Sequence, residues 1–316
     1  MKPIVVVGSL NMDVTAYLDR WAQPGETLLA RAGAVTMGGK GGNQAVAAAR
    51  LGATVRMIAA VGDDGFGADM VDRLRAENIS VHLARPANCH SGMALIDVSP
   101  DGSNMIRLIA GTNAMLDATA VQAQAAAFEG AAIVLLQNEV PLPASLQAAR
   151  LGRAAGALVI MDPAPAPVQP WTAAEFSMFD IVTPNANEAG LILGRDVVSL
   201  DDATQAATDL RRYGLRGAVV TMGALGAAWS IDDQSGQISP HRVAVVDTVA
   251  AGDCFNGALA VALAMGHDLP AAITMACDGA SLATLKHGAA SSAPLLADLL
   301  AFQARHRDVQ RLSAPN

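Results

Sequence analysis

Short, wholly apolar runs alternate along the chain with amphipathic stretches, and this rhythm predicts the main architecture. Residues 4–7 (Ile-Val-Val-Val) stop at Gly8. They read as a buried strand, because a strand covered on both faces shows a continuous apolar run instead of period-2 alternation. Residues 44–50 predict a helix that Gly52 stops. Residues 55–61 predict the next strand and 66–77 the next helix. The pairing recurs at 132–136 with 144–154 and at 181–183 with 188–193, with further strands at 158–161 and 218–221. Alternation of this length predicts a doubly wound, mostly parallel α/β sheet with helices on both faces.

Two regions break the rhythm. Residues 14–18 and 28–35 look like strands with no helix between them. Residues 93–98 and 105–109 look like a hairpin around Ser99-Pro100-Asp101-Gly102-Ser103. These four strands predict a small separate β-sheet, a lid whose apolar face covers a substrate; the other reading makes them edge strands of the main sheet. The expected division is 1–10, 37–90 and 113–316 for the main domain, and 11–36 with 91–112 for the lid. Four prolines make 163–170 a loop, too short to be a domain linker.

Composition narrows the function. The chain is 52% hydrophobic but only 3% aromatic, so its core is expected to consist of aliphatic and small side chains. A net charge of −8 without a basic block argues against nucleic acid or an anionic membrane as partner. It leaves room for phosphate, which backbone amides can bind inside an acidic protein. Cys89, Cys254 and Cys277 are an odd set without CxxC spacing, which reads as buried free thiols in a reducing cytoplasm. Met1-Lys2-Pro3 runs directly into the first strand, so no signal peptide is expected. The apolar stretch 258–265 is too short to span a bilayer.

The strongest local signal is Asp247-Thr-Val-Ala-Ala-Gly-Asp253-Cys-Phe-Asn-Gly257, leading into a helical run. Ala250, Ala251 and Gly252 stand where a loop becomes a helix. Free N–H groups there, with the helix dipole, make an anion hole suited to a transferring phosphoryl group. Asp253 at its edge could accept a proton from an attacking hydroxyl. It could equally be a helix cap, and spacing alone does not choose. The glycines Gly38, Gly39, Gly41 and Gly42 are not a Walker A loop, since neither Ser nor Thr follows Lys40. No GxGxxG follows the first strand either. By themselves they read as a turn. With Asn43, Asn11 and Asp13 they read as a polar, sugar-sized site, because each sugar hydroxyl is both donor and acceptor.

Ala250-Ala251-Gly252-Asp253 with Phe255-Asn256-Gly257 resembles the C-terminal signature of the PfkB family of carbohydrate kinases, also called the ribokinase family. Gly38-Gly39-Lys40-Gly41-Gly42-Asn43-Gln44-Ala45 resembles its N-terminal signature. Gly8-Ser9-Leu10-Asn11-Met12-Asp13, Thr183-Pro184-Asn185-Ala186-Asn187-Glu188 and Thr221-Met222-Gly223 fit in order. The resemblance spans essentially the whole chain and is nearest to the ribokinase branch. It implies a ribokinase-like α/β fold with a β lid, and transfer of the γ-phosphate of ATP to a primary hydroxyl, D-ribose giving ribose 5-phosphate. It implies Asp253 as base and the amides of Ala250, Ala251 and Gly252 as anion hole. Asn11, Asp13, Gly39, Lys40, Asn43, Glu139 and Asp253 would meet the sugar. Asn185, Glu188, Thr221, Gly223, Gly226 and Gly252 would meet the nucleotide. Glu139 could otherwise be a solvated loop carboxylate. Asn185 and Glu188 also read as a capping box, which is compatible with the nucleotide role.

The resemblance further implies Mg2+ held by Glu188 through water, since magnesium takes few protein carboxylates. A potassium ion would be held by Asp247, Ser292 and backbone carbonyls near Val249, Ala283, Lys286 and Gly288. Adenine would lie between 221–227 and 283–288, and a homodimer would form through the lid strands. Alternatives are another kinase of the family, acting on a nucleoside, fructose or a keto-deoxy sugar acid, or a non-catalytic sugar-binding regulator. A sugar acid needs a cation, for which Arg107 is the candidate. A nucleoside needs an aromatic platform, and the lid is poor in aromatics. Retention of Asp253 with the whole anion-hole sequence speaks against the regulator. The missing dinucleotide fingerprint speaks against a nicotinamide-dependent oxidoreductase.

Overall fold

The computed structural model describes residues 1–313. Its strands are β1 Ile4–Val7, β2 Asn11–Tyr17, β3 Ala32–Gly38, β4 Val55–Ala60, β5 Ser80–Ala84, β6 Gly92–Val98, β7 Asn104–Ile109, β8 Ile133–Gln137, β9 Leu158–Asp162, β10 Ile181–Val182, β11 Gly217–Thr221, β12 Ala227–Ile231 and β13 Gln234–Ile238. Its helices are α1 Lys40–Arg50, α2 Gly65–Ala76, α3 Ala118–Gln122, α4 Leu142–Ala154, α5 Ala173–Phe176, α6 Ala186–Leu193, α7 Leu200–Leu210, α8 Ala251–Ala264, α9 Leu269–Ala283 and α10 Leu296–Ser313.

Among the described residues, nine strands form one sheet in the order β13-β12-β11-β10-β9-β8-β1-β4-β5. The pairs from β11 through β5 are parallel, while β12 and β13 add an antiparallel hairpin at one edge. The doubly wound α/β architecture is therefore as expected. Each face has its own core. Ile4 and Val6 pack into one cluster, with α1, α8 and α9, while Val5 and Val7 pack into the other, with α4 and α7. Alternate residues of a strand point to opposite faces, so both must be apolar when both faces are covered.

The four remaining strands form a separate sheet in the order β3-β2-β6-β7. The β2–β3 and β6–β7 pairs are antiparallel, whereas β2–β6 is parallel. They are thus a lid and not edges of the main sheet. Several boundaries differ from expectation: the strand placed at 14–18 is Asn11–Tyr17, the helix placed at 188–193 begins at Ala186, and two larger shifts have clear causes. The strand placed at 28–35 is Ala32–Gly38; Leu29 is 91% exposed and the backbone before Ala32 takes no strand pairing. The helix placed at 44–50 begins at Lys40, because Gly39, at φ 83°, supplies the turn into it, and glycine reaches that conformation without strain. Local propensity had argued against helix across Gly41 and Gly42, and tertiary packing overrides it.

Helices α1 and α8 pack closely. A Cβ at Gly257 would lie 2.7 Å from Ala47 Cβ and 3.0 Å from the Gln44 carbonyl. This brings the N-termini of the two helices to one end of the sheet. Cys254 and Cys277 are buried free thiols, whereas Cys89 is partly exposed, against the expectation for all three. Among the described residues no helix is long and apolar enough to cross a membrane.

Candidate active site

The chain leaves β1 for β4 and β5 on one side, and leaves β8 for β9 to β11 on the other. The carboxyl ends of these two central strands therefore open a crevice, the place where open α/β sheets bind ligands. Residues just beyond them meet there. Ser9 Oγ donates to Glu139 Oε2 at 2.5 Å, and the same oxygen accepts the Lys40 amide at 3.0 Å. Glu139 is thus half-buried and holds the first turn of α1, so the solvated-loop reading is set aside.

Asn11 and Asp13 come from the start of β2, an inner strand of the lid sheet. Asn11 is buried, and its Oδ1 accepts from Asn113 Nδ2 at 2.8 Å. Asp13 lies over Gly38, where a Cβ would come within 2.2 Å of Asp13 Oδ2, so only glycine leaves room for this carboxylate. Burial, then the charges of Glu139 and Asp253, push the Asp13 carboxyl up to about 7. Those three acids therefore share one electrostatic neighbourhood.

Asp253 lies in the first turn of α8 and is 4% exposed. Asn43 Nδ2 donates to its Oδ2 at 2.8 Å, and Gln44 Nε2 to its Oδ1 at 3.2 Å. Both donors come from α1. Asn43 Oδ1 is buried without a partner among the described residues, an acceptor left unpaired. Burial raises the Asp253 carboxyl, against the opposing pull of Lys40 and the Asn43 bond. Burial would lower the Lys40 ammonium, but Asp253, Asp162, Glu139 and Glu188 together hold it above its usual value. The site thus gathers several carboxyls around one lysine.

The loop before α8 turns through Ala250 in the left-handed conformation, φ 59°. Among the described residues no acceptor faces the amides of Ala250, Gly252 or Asp253, and nothing stands within 4 Å of where a Gly252 Cβ would be. The Ala251 amide is the exception in the expected anion hole: it donates to the Thr248 carbonyl at 3.3 Å. A left-handed turn at Ala250 closes that short loop on itself, which no reading of residue types would show.

Asn185 caps α6. Its side chain accepts the Glu188 amide at 2.9 Å, and Glu188 Oε2 accepts the Asn185 amide at 2.9 Å. The capping box is therefore formed, and one Glu188 oxygen keeps no protein partner among the described residues. Burial raises the Glu188 carboxyl. Thr221 bridges to Asn185 at the end of β11. Beyond it Gly223 and Gly226, both at positive φ, flank a turn closed by Met222 N to the Gly226 carbonyl at 2.7 Å. Asp247 joins two loops: Oδ1 accepts from Val249 N at 3.0 Å and Oδ2 from Gly288 N at 3.1 Å. The Ala283 carbonyl takes the Lys286 amide, with Lys286 itself exposed. Ser292 is buried, its hydroxyl donated to the Ala289 carbonyl at 2.8 Å. Asp247, Val249 and Gly288 are therefore brought together, whereas among the described residues Ser292 Oγ bonds to the Ala289 carbonyl and to none of these three. Arg107 is tied to Asp97 at 2.5 Å on the lid hairpin.

A buried polar layer behind Asp253 had no place in the sequence reading. Gln137 closes β8, Asp162 closes β9 and Thr183 follows β10. Gln137 Nε2 donates to Gln44 Oε1 at 2.8 Å, Gln44 Nε2 to Asp162 Oδ2 at 2.9 Å, and Thr183 Oγ1 to Asn256 Oδ1 at 2.7 Å. The available signal was a polar residue closing each of three successive apolar strands.

A family model described as pfkB family carbohydrate kinase matches residues 1–296. The ribokinase of Haemophilus influenzae is 35% identical over 302 residues, 95% of this chain and 98% of that protein. The deoxyribokinase of Salmonella typhimurium is 35% identical over 292 residues, 92% of this chain and 95% of that protein. Among solved structures, Thermotoga maritima ribokinase superposes with a TM-score of 0.87 at 30% identity, covering 96% of this chain and 100% of that one. Arabidopsis thaliana ribokinase complexed with ribose and ATP superposes with a TM-score of 0.87 at 29% identity, covering 95% and 98%.

Proposed function

Because the chain belongs to the pfkB family of carbohydrate kinases and is an ATP-dependent carbohydrate kinase, we propose that its acceptor is D-ribose, phosphorylated at the primary hydroxyl to ribose 5-phosphate. The observation that carries this reading is the Asp253 carboxylate, fixed by Asn43 and Gln44 beside open amides of α8 and in the electrostatic reach of Asp13 and Glu139. Asp253 takes the proton from the sugar hydroxyl as its oxygen bonds to the γ-phosphorus. The bond from that phosphorus to the β-bridging oxygen breaks, and ADP leaves. The amides of Ala250, Gly252 and Asp253 meet charge on the transferring group. Lys40 offsets part of the carboxylate charge facing it. The lid covers the sugar and excludes water, the competing acceptor.

Asn11, Asp13 and the open Asn43 carbonyl suit an acceptor with adjacent hydroxyls. A 2-deoxy sugar would leave one such buried polar group unpaired, which disfavours it relative to ribose. Arg107 is paired with Asp97 on the lid hairpin, which weighs against a role in binding a sugar acid. Thr221, Gly223, Gly226 and the Asn185–Glu188 turn suit the phosphates of ATP. The open Glu188 oxygen fits a largely hydrated Mg2+, which when bound supplies charge neutralisation at the β and γ oxygens. Asp247, Ser292 and the carbonyls of Val249, Ala283, Lys286 and Gly288 are oxygen donors suited to K+, which when bound supplies positive charge behind the anion-hole loop. Val35, Met105, Ile106 and Leu108 expose about half their surface on the lid, which suits a homodimer through it. Free thiols and use of ATP suit a cytoplasmic setting.

The test is a coupled assay of ATP consumption over ribose, 2-deoxyribose, fructose and nucleosides, with Asp253→Asn beside the native chain. Ribose is expected to give the highest kcat/KM. Asp253→Asn should lose turnover on the order of a thousandfold, with ribose binding within a few-fold. Near-normal turnover of that variant refutes the base, and preference for another acceptor refutes ribose.

A further inference from the structure

The carboxylate that receives the sugar proton has two side-chain holders, and one of these is itself held from behind. Gln44 is wholly buried on α1. Its Oε1 accepts from Gln137 Nε2 at 2.8 Å, so its NH2 must face the opposite way. The two hydrogens of that NH2 then have two acceptors, Asp162 Oδ2 at 2.9 Å and Asp253 Oδ1 at 3.2 Å. Gln137 and Asp162 are register partners at the ends of β8 and β9, so the strand pairing sets the spacing of both groups that grip Gln44. Asp162 is 5% exposed and has no other side-chain hydrogen bond among the described residues. A buried carboxyl is a costly way to fill space that an apolar side chain could fill.

We propose that Asp162 is a positioning residue for phosphoryl transfer: by accepting one hydrogen of the Gln44 amide, it locks the other onto Asp253 Oδ1 and leaves the remaining lone pairs of that carboxylate turned toward the acceptor hydroxyl. This rests on the reading of Asp253 as the base. The amide lock does two things. It fixes the rotation of the carboxylate, without which the proton acceptor is not aligned with the attacking oxygen. It also favours the ionised form of Asp253, since a donor on a carboxylate lowers its proton affinity. Asp162 needs only an acceptor oxygen for this role. Burial pushes its carboxyl well above the usual range, with the Lys40 charge opposing and the Asp253 charge adding. That direction favours the protonated form, which sets less negative charge beside the base.

The roles are separated by kinetics of the full chain with ribose and ATP, from pH 5 to 9. Asp162→Asn keeps a carbonyl to accept from Gln44; kcat should stay within about threefold of native. Asp162→Leu removes the acceptor. Its kcat should fall on the order of 10- to 100-fold, the scale of one hydrogen bond to a charged group, with KM for both substrates within about twofold. The acid limb of its kcat profile should move up by about one pH unit. Gln44→Met should move the limb the same way, and the double variant should be no worse than Gln44→Met alone, since both changes break one route. Should Asp162→Leu melt below the assay temperature by circular dichroism, Asp162→Ser, too short to reach the amide, replaces it.

Native-like kcat and acid limb in Asp162→Leu overturn the proposal. So does an Asp162→Asn variant as impaired as the Leu variant, or additive losses in the double variant. Failure of the base reading looks different: Asp253→Asn would then turn over normally. An inactive Asp253→Asn with an unaffected Asp162→Leu sinks the positioning role alone.

Discussion

Lowering the pH from 8 to 6 should weaken sugar binding about tenfold, through Asp13. Its carboxyl is raised from 3.8 to about 7 by burial, then by the charges of Glu139 and Asp253. Only the ionised form can accept a hydroxyl on each oxygen. With a midpoint near 7, about nine-tenths of Asp13 is ionised at pH 8 and about one-tenth at pH 6. If the sugar requires the ionised form, its Kd rises by that ratio, about 1.4 kcal/mol. Isothermal titration calorimetry with ribose and no nucleotide isolates this step from turnover. At pH 7 binding should release about half a proton, seen as an enthalpy that varies with the ionisation heat of the buffer. Glu139→Gln removes one of the charges that raise Asp13, so its midpoint should move down. The folded carboxyl binds its proton more tightly than the unfolded one. Its stabilising contribution is therefore complete below about pH 4 and lost as pH rises through about 7, so melting without sugar should fall across that window. A Kd constant within twofold from pH 6 to 8, with no buffer dependence, refutes the reasoning.

Gly38→Ala would drive a methyl to within 2.2 Å of Asp13 Oδ2. Ribose affinity measured by calorimetry should fall on the order of 100-fold, while nucleotide binding stays intact. Ala250, at φ 59°, is a left-handed non-glycine residue at the start of the proposed anion hole. Ala250→Gly should keep kcat within a few-fold. Ala250→Val, which strains a β-branched residue there, should lower kcat about tenfold or more with ribose Kd unchanged. Asp247→Asn weakens the charge of the loop clamp at Val249 and Gly288; steady-state rates with and without potassium should lose their difference in this variant, by severalfold against sodium.

Much of the architecture was written in local pattern. Runs such as Ile4–Val7, closed by a glycine and followed by a helix period, depend on neighbours a few residues away, so a parallel α/β sheet and a separate lid follow from one sequence. The two glycine-bearing signatures likewise marked Asn43 and Asp253 as candidate sugar contacts. Their meeting is a tertiary fact, since the bonded residues stand 210 positions apart. The same holds for Gln44 with Asp162, 118 positions apart, and for Asn113 with Asn11, 102 apart. The helix start at Lys40 was hidden because the Glu139 carboxylate that holds its amide lies 99 residues away. Propensity and periodicity are properties of a segment. Desolvation, charge coupling and the direction of an amide are sums over whatever the fold places around a group, and only the folded chain supplies that list.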